Sequence, residues 1–356
     1  MQNMGPLALD SVQNTRLLAL SSVQHFLVDG VCICCMFLLV GLYHDRFGVA
    51  GYPHAACIAM SAVLTYNVLA FMSQPLTGLL ADRLKACHWL LIASMLLLTL
   101  AVALASLTSM LAAGRQGMTA EVGWQLLLFA TAVSAGLGNS LFHVWGGKQT
   151  VVSAGNDPRA LGVFVSTGAL GLAVGFVWCS WLLLYVQLLA FVATSIAYVY
   201  TSVFKGTGIR EGDGTKSHSV PRVFSHSRTI TLLMAIMLFV AYRSFAGEVF
   251  SHGITKTQTL VLLIGLISML GKMAGGWITV RLGVLLSLVL ALAGASLCVL
   301  LRGNGVAVLL AGIFLMNTTM PTTLFLANDL LPRREGLAFG LLAAALIPGY
   351  LLAVYM

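Results

Sequence analysis

Apolar residues run along this chain in blocks of about 20, each bounded by a few polar or basic positions, and this is the pattern of helices that cross a bilayer. Eleven such spans are predicted, at 17–43, 54–81, 87–112, 121–145, 160–181, 182–203, 229–251, 257–280, 283–301, 305–330 and 336–355. The fifth and sixth share one apolar run, 160–203. It is too long for a single crossing at about 1.5 Å per residue through a core of roughly 30 Å. One long polar stretch, KGTGIREGDGTKSHSVPRVFSHSR at 205–228, is rich in Gly, Ser and charge and reads as a linker. The domain organisation that follows is a six-helix bundle over 1–204, the linker 205–228, and a second bundle over 229–356 with five spans. The opening MQNMGPLALDSVQNTR lacks a basic-then-apolar signal layout, so the first span is expected to stay in the protein.

Composition agrees. Of 356 residues, 59% are hydrophobic and only 8% charged, against about 25% charged in soluble domains. The net charge of +8 raises the question of nucleic acid, and its placement answers it. With the N-terminus set in the cytoplasm, thirteen lysines and arginines fall on cytoplasmic segments and four (Arg46, Arg115, Lys256 and Arg302) on outer ones. That is a positive-inside bias. The expected class is an all-α polytopic protein of a bacterial inner membrane, with no nucleic-acid partner.

The two parts repeat. QPLTGLLADRLK closes the second span and KMAGGWITVRLG the eighth, and aligning them sets Gly78 against Gly276, Arg83 against Arg281 and Gln74 against Lys272. Parallel repeats of this kind are a transporter architecture. GLLADRLK at 78–85 resembles the loop motif of the major facilitator superfamily, with the acid and first arginine present as Asp82 and Arg83. The second copy has Val280 where the acid belongs. The chain also resembles the fosmidomycin-resistance branch of that superfamily. His25 and Asp29 carry this in the first span, and Tyr66, Gln74, Pro75 and Gly78 in the second. GLGNSLFHVWGGKQ carries it in the fourth, although Val144 and Trp145 depart from the branch pattern. The resemblance implies twelve spans where eleven are read, and proton-coupled drug or small-solute efflux.

The charged residues inside the spans are the candidates for chemistry. Asp29 lies about 18 Å into its helix at 1.5 Å per residue, near the midplane. Intramembrane carboxylates usually face a cavity. His25 sits one turn away on the same face. The pair reads either as a proton-coupling site or as a structural hydrogen bond. Arg243 lies deep in the seventh span, facing a substrate or pairing with a carboxylate. Glu248, nearer the outer face, is an outer proton acceptor or a vestibule residue. Tyr66, Gln74, Asn139 and His143 complete the candidate substrate cavity, and Asn317 reads either as a further cavity residue or as ordinary helix packing in the tenth span. His143 and Lys148 also read as helix-end residues serving the dipole and lipid headgroups. Gly78, Asp82, Arg83, Lys272 and Arg281 are assigned to a conformational latch, pairing in one state and parting in the other. Cys32, Cys34 and Cys35 point different ways around a helix and cannot converge on one ion.

The expected function is secondary transport of a small polar, possibly anionic solute by alternating access, as proton-coupled export. Uptake by symport and a non-transporting membrane sensor are the alternatives. Neither an enzyme, a cofactor nor a metal is expected. The expected partners are the solute, protons and lipid, around a single chain.

Overall fold

The computed structural model describes residues 6–48, 54–84, 87–112, 118–204, 226–251, 256–301 and 305–354. Among these the chain is helical throughout, as α1 (Pro6–Tyr43), a π-helical turn (His44–Gly48), α2 (Ala55–Met72), α3 (Gln74–Arg83), α4 (His88–Ala112), α5 (Met118–Ala154), α6 (Pro158–Val177), α7 (Trp181–Phe204), α8 (His226–Ser251), α9 (Gln258–Leu282), α10 (Val284–Leu300), α11 (Val306–Leu330), α12 (Glu335–Ala344) and α13 (Leu346–Val354). Ten stretches are long and apolar enough to cross a membrane, and the 17-residue α10 is the eleventh apolar helix. The predicted spans and the helices coincide, with four differences. The first span begins earlier, at Pro6, as part of α1. The fourth span extends from 145 to Ala154 as part of α5. The second and eleventh are each broken in two. Most of the predicted linker lies outside the described residues, and its last three positions open α8.

Proline explains both breaks, because its ring removes the amide that would continue the helical ladder. Pro75 opens α3 just after Ser73. There the side chain of Gln74 donates to the Ala70 carbonyl (2.8 Å), and the Ser73 hydroxyl donates to the Leu69 carbonyl (2.5 Å), with Ser140 Oγ 2.7 Å away. Pro348 likewise cannot donate to the carbonyl of Ala344, where α12 ends. Both breaks lie on helices that line the central cavity.

Three apolar clusters organise the packing. One draws only on α1–α5, α7 and the adjoining turns, around Leu39, Leu98, Leu128, Phe142 and Trp145. A second draws only on α8–α11, around Phe250, Ile313 and Met316. The third joins the two sets, with Val151, Leu161 and Phe164 meeting Leu324, Ala338 and Phe339. Across that boundary α6 lies along α9, and α3 along α12. The outward faces carry exposed Leu76, Met110, Leu182, Leu285 and Leu300, as lipid-facing surfaces do.

A buried His–Asp–His cluster beside a central cavity

A cavity of about 540 Å³ lies between the two helix sets. His25, Asp29, Tyr66, Gln74, Asn139 and His143 line it from α1, α2, α3 and α5, while Arg243, Glu248 and Lys272 line it from α8 and α9. Sequence reasoning assigned all of these to the cavity or to proton coupling except Lys272, which it placed in the latch. The repeat held the missing signal: Lys272 aligns with Gln74, and both face the same cavity.

On one wall three side chains converge. His25 Nε2 lies 3.4 Å from Asp29 Oδ2, His143 Nε2 lies 3.5 Å from Asp29 Oδ1, and the two Nε2 atoms are 2.9 Å apart. All three residues are buried or nearly so. The i,i+4 spacing brings His25 under Asp29, and α5 supplies His143 from the facing helix. Each imidazole is oriented from behind. His25 Nδ1 sits 2.8 Å from the Phe164 carbonyl, and His143 Nδ1 sits 2.9 Å from the Asn139 carbonyl. A carbonyl only accepts, so both Nδ1 atoms carry the hydrogen. In neutral rings both Nε2 atoms would then present lone pairs to each other across 2.9 Å. That arrangement is favourable only with a cation between them, and Asp29 supplies the counter-charge.

The surroundings hold the cluster rigid. The Asn139 amide lies 3.4 Å from Asp29 Oδ1 and 3.4 Å from Tyr66 Oη. The His25 ring packs on Phe164 with centroids 4.8 Å apart. A Cβ at Gly168 would collide with Asp29 Oδ2 and meet His25 Nε2 at 2.5 Å, so only glycine fits there. The opposite wall carries the positive charge. Arg243 is 9% exposed, and its Nη1 is buried with no hydrogen-bond partner among the described residues.

Away from the cavity, Asp82 accepts hydrogen bonds from the backbone amides of Gly336 and Leu337, each at 2.9 Å, and so caps the N-terminus of α12 across the boundary. Lys148 is buried beside it, 3.7 Å from Asp82 Oδ1, and donates to the Ala81 carbonyl at 2.8 Å. Gly78 allows this approach, since a Cβ there would strike the Gly336 backbone.

Two sequence assignments, Lys272 and Asn317, need correction, and the latch assignment gains a further base. Arg83 and Arg281 are exposed, and the basic partner of Asp82 is Lys148, reached through tertiary contact rather than sequence adjacency. Lys272 belongs to the cavity. Asn317 does not line it; its amide bonds the Ile313 carbonyl (2.8 Å) and Ser268 Oγ (3.4 Å) between α11 and α9. The cysteines do point apart. Cys32 lies against Asn139, Cys34 against the Ser180 carbonyl and Cys35 against the Ala101 carbonyl. Among the described residues, the donor set that could hold a metal is a different one, His25, Asp29 and His143, with ligand atoms all within 4.8 Å of one another.

No family model and no curated protein matches the sequence. Solved structures do match. A bacterial homologue of the iron transporter ferroportin, in an outward-facing state, is 18% identical over 96% of this chain and 90% of its own, with a TM-score of 0.58. The human organic anion transporter MFSD10 is 15% identical over 96% and 94%, with a TM-score of 0.60. The major facilitator superfamily proton:xylose symporter XylE is 12% identical over 97% and 89%, with a TM-score of 0.59. The chain therefore has the all-α, multi-pass major facilitator fold.

Proposed function

We propose that this protein is a secondary active transporter. It exports a small anionic solute across the cytoplasmic membrane by alternating access, driven by protons, with its N-terminus inside. The observation that carries this reading is the cavity between the two helix sets. One wall holds a carboxylate with two imidazoles, and the other holds Arg243 and Lys272. A buried guanidinium nitrogen without a partner costs desolvation energy that an anionic ligand offsets. Lys272, the second cation on that wall, reinforces the attraction.

The His–Asp–His cluster supports coupling. Its two facing Nε2 atoms accommodate one shared proton, with Asp29 as counter-ion. Gaining or losing that proton changes the charge of one wall by one unit, and so biases which state holds an anion best. The Asp82 cap on α12 supports alternation, since it joins the two helix sets at one end and must break for that end to open. The resemblance to the fosmidomycin-resistance branch and the organic anion transporter among the structural matches support the substrate class. The proton symporter among those matches favours a second reading, proton-coupled uptake.

The test is flux in proteoliposomes under an imposed pH gradient, across a panel of small carboxylates and phosphonates. Anion movement against the proton gradient is expected, and movement with it supports uptake instead. Asp29→Asn is expected to abolish pH-driven flux while leaving the detergent-purified protein folded. Unchanged flux in that variant removes Asp29 from the mechanism.

A further inference from the structure

We infer that His25, Asp29 and His143 form a binding site for a single divalent transition-metal ion, open to the central cavity. The geometry of the cluster alone defines this site, independently of the transport reading. Two nitrogens at about 2.05 Å from a tetrahedral ion lie roughly 3.3 Å from each other. The three ligand separations here, 2.9, 3.4 and 3.5 Å, bracket that value. The ion needs little rearrangement to enter.

The second shell points the same way. Metal-bound imidazoles characteristically donate the other ring N–H to a carbonyl or carboxylate, which fixes the tautomer and aims the free nitrogen at the ion. Both imidazoles do so here, His25 to the Phe164 carbonyl and His143 to the Asn139 carbonyl. The carboxylate is steadied by the Asn139 amide. Imidazole and carboxylate donors suit zinc, cobalt, nickel and iron better than magnesium or calcium, which prefer all-oxygen cages. Any remaining coordination positions face the cavity, where an anion completes the sphere and balances the charge of Arg243 and Lys272.

Binding replaces one bound proton by the ion: the proton between the two Nε2 atoms leaves for solvent, and the nitrogen lone pairs pass to the metal. The net charge of the cluster rises by one, and no redox change is required. Within the proposed cycle, such an ion competes with the coupling proton.

The experiment is titration of the purified full-length protein in detergent with Co²⁺ alone, followed by visible ligand-field absorption. One saturating equivalent is expected. The double variant His25→Gln/His143→Gln is expected to lose affinity by on the order of 100-fold or more, since even outer-shell changes cost about 10–100-fold. His44→Gln, at a surface histidine, should bind as the parent does. The inference is overturned if the parent takes up no saturating equivalent, or if a folded double variant retains it. Cobalt-edge X-ray absorption on the unmodified protein makes the outcome independent of variant folding: two imidazoles and oxygen are expected, and fewer than two imidazoles refute the site. Absence of pH-driven flux would remove the transport reading and leave this binding result intact.

Discussion

Asp29 sits where a carboxylate is costly, and what makes the position tenable is a set of contacts from three helices. His25 comes from its own helix, His143 and Asn139 from α5, and the space itself from Gly168 on α6. The glycine gives a clean residue-scale test. Gly168→Ala drives a methyl group into Asp29 and His25, whose ring is tied to the Phe164 carbonyl and cannot yield freely. Overpacking of this kind costs about 1–3 kcal/mol. Thermal unfolding in detergent should fall accordingly and pH-driven flux should collapse. Gly123→Ala, where an added Cβ meets nothing within 4 Å, should leave both unchanged. The His25–Asp29 pair was legible from its i,i+4 spacing. His143 as its third member was not, because it lies 114 positions along the chain from Asp29 and only the packing of α5 on α1 brings them together.

At the scale of elements, the junction of α3 with α12 behaves as a clasp. Asp82 accepts two amides at the start of α12, where the helix dipole favours an anion, and hydrogen bonds to a charged group contribute about 1.5–3 kcal/mol each. Asp82→Ala should therefore shift the equilibrium toward opening at that end by tenfold or more, since about 1.4 kcal/mol is a factor of ten. The rate of thiol labelling at Thr323→Cys, a residue lining the cavity, measures it from the Asp82 side. Lys148→Met should give a smaller change of the same sign. Arg83→Ala, at an exposed position, should give none. The motif at 78–83 announced a clasp at this end in sequence. It did not reveal the base buried beside Asp82, because Lys148 arrives from α5, far away in sequence.

At the scale of the molecule, the proposed cycle requires the two helix sets to move against each other, and a covalent tie between them should stop it. A Cβ at position 336 would stand 3.1 Å from the Cβ of Ala81, close to the 3.5–4.5 Å that a disulfide spans, once the Gly78 carbonyl and Asp82 Oδ1, at 2.8 and 2.9 Å, give way. Ala81→Cys with Gly336→Cys should lose flux on oxidation and regain it on reduction, with the oxidised parent as control. Retained flux in the fully cross-linked protein would mean that this junction does not open during transport.

The number and approximate positions of the apolar crossings, their membrane-spanning character and the doubling of the Gly–Arg turn follow from the sequence by itself. These properties are local: length, apolarity and spacing within about 20 residues decide them, and lipid leaves the backbone few alternatives to a helix. The breaks at Pro75 and Pro348 are equally local, since a missing amide acts where it occurs. What only the tertiary structure decided is which polar residues share a space. His143 with His25 and Asp29, Lys272 beside Arg243 in the cavity, Lys148 with Asp82, and Asn317 away from the cavity are all outcomes of how the helices are rotated and packed. In a chain apolar around most of every helix, the hydrophobic pattern fixes the crossings well and the rotations poorly. Close packing at small residues and the few polar contacts set the rotations, and those exist only once the helices have met.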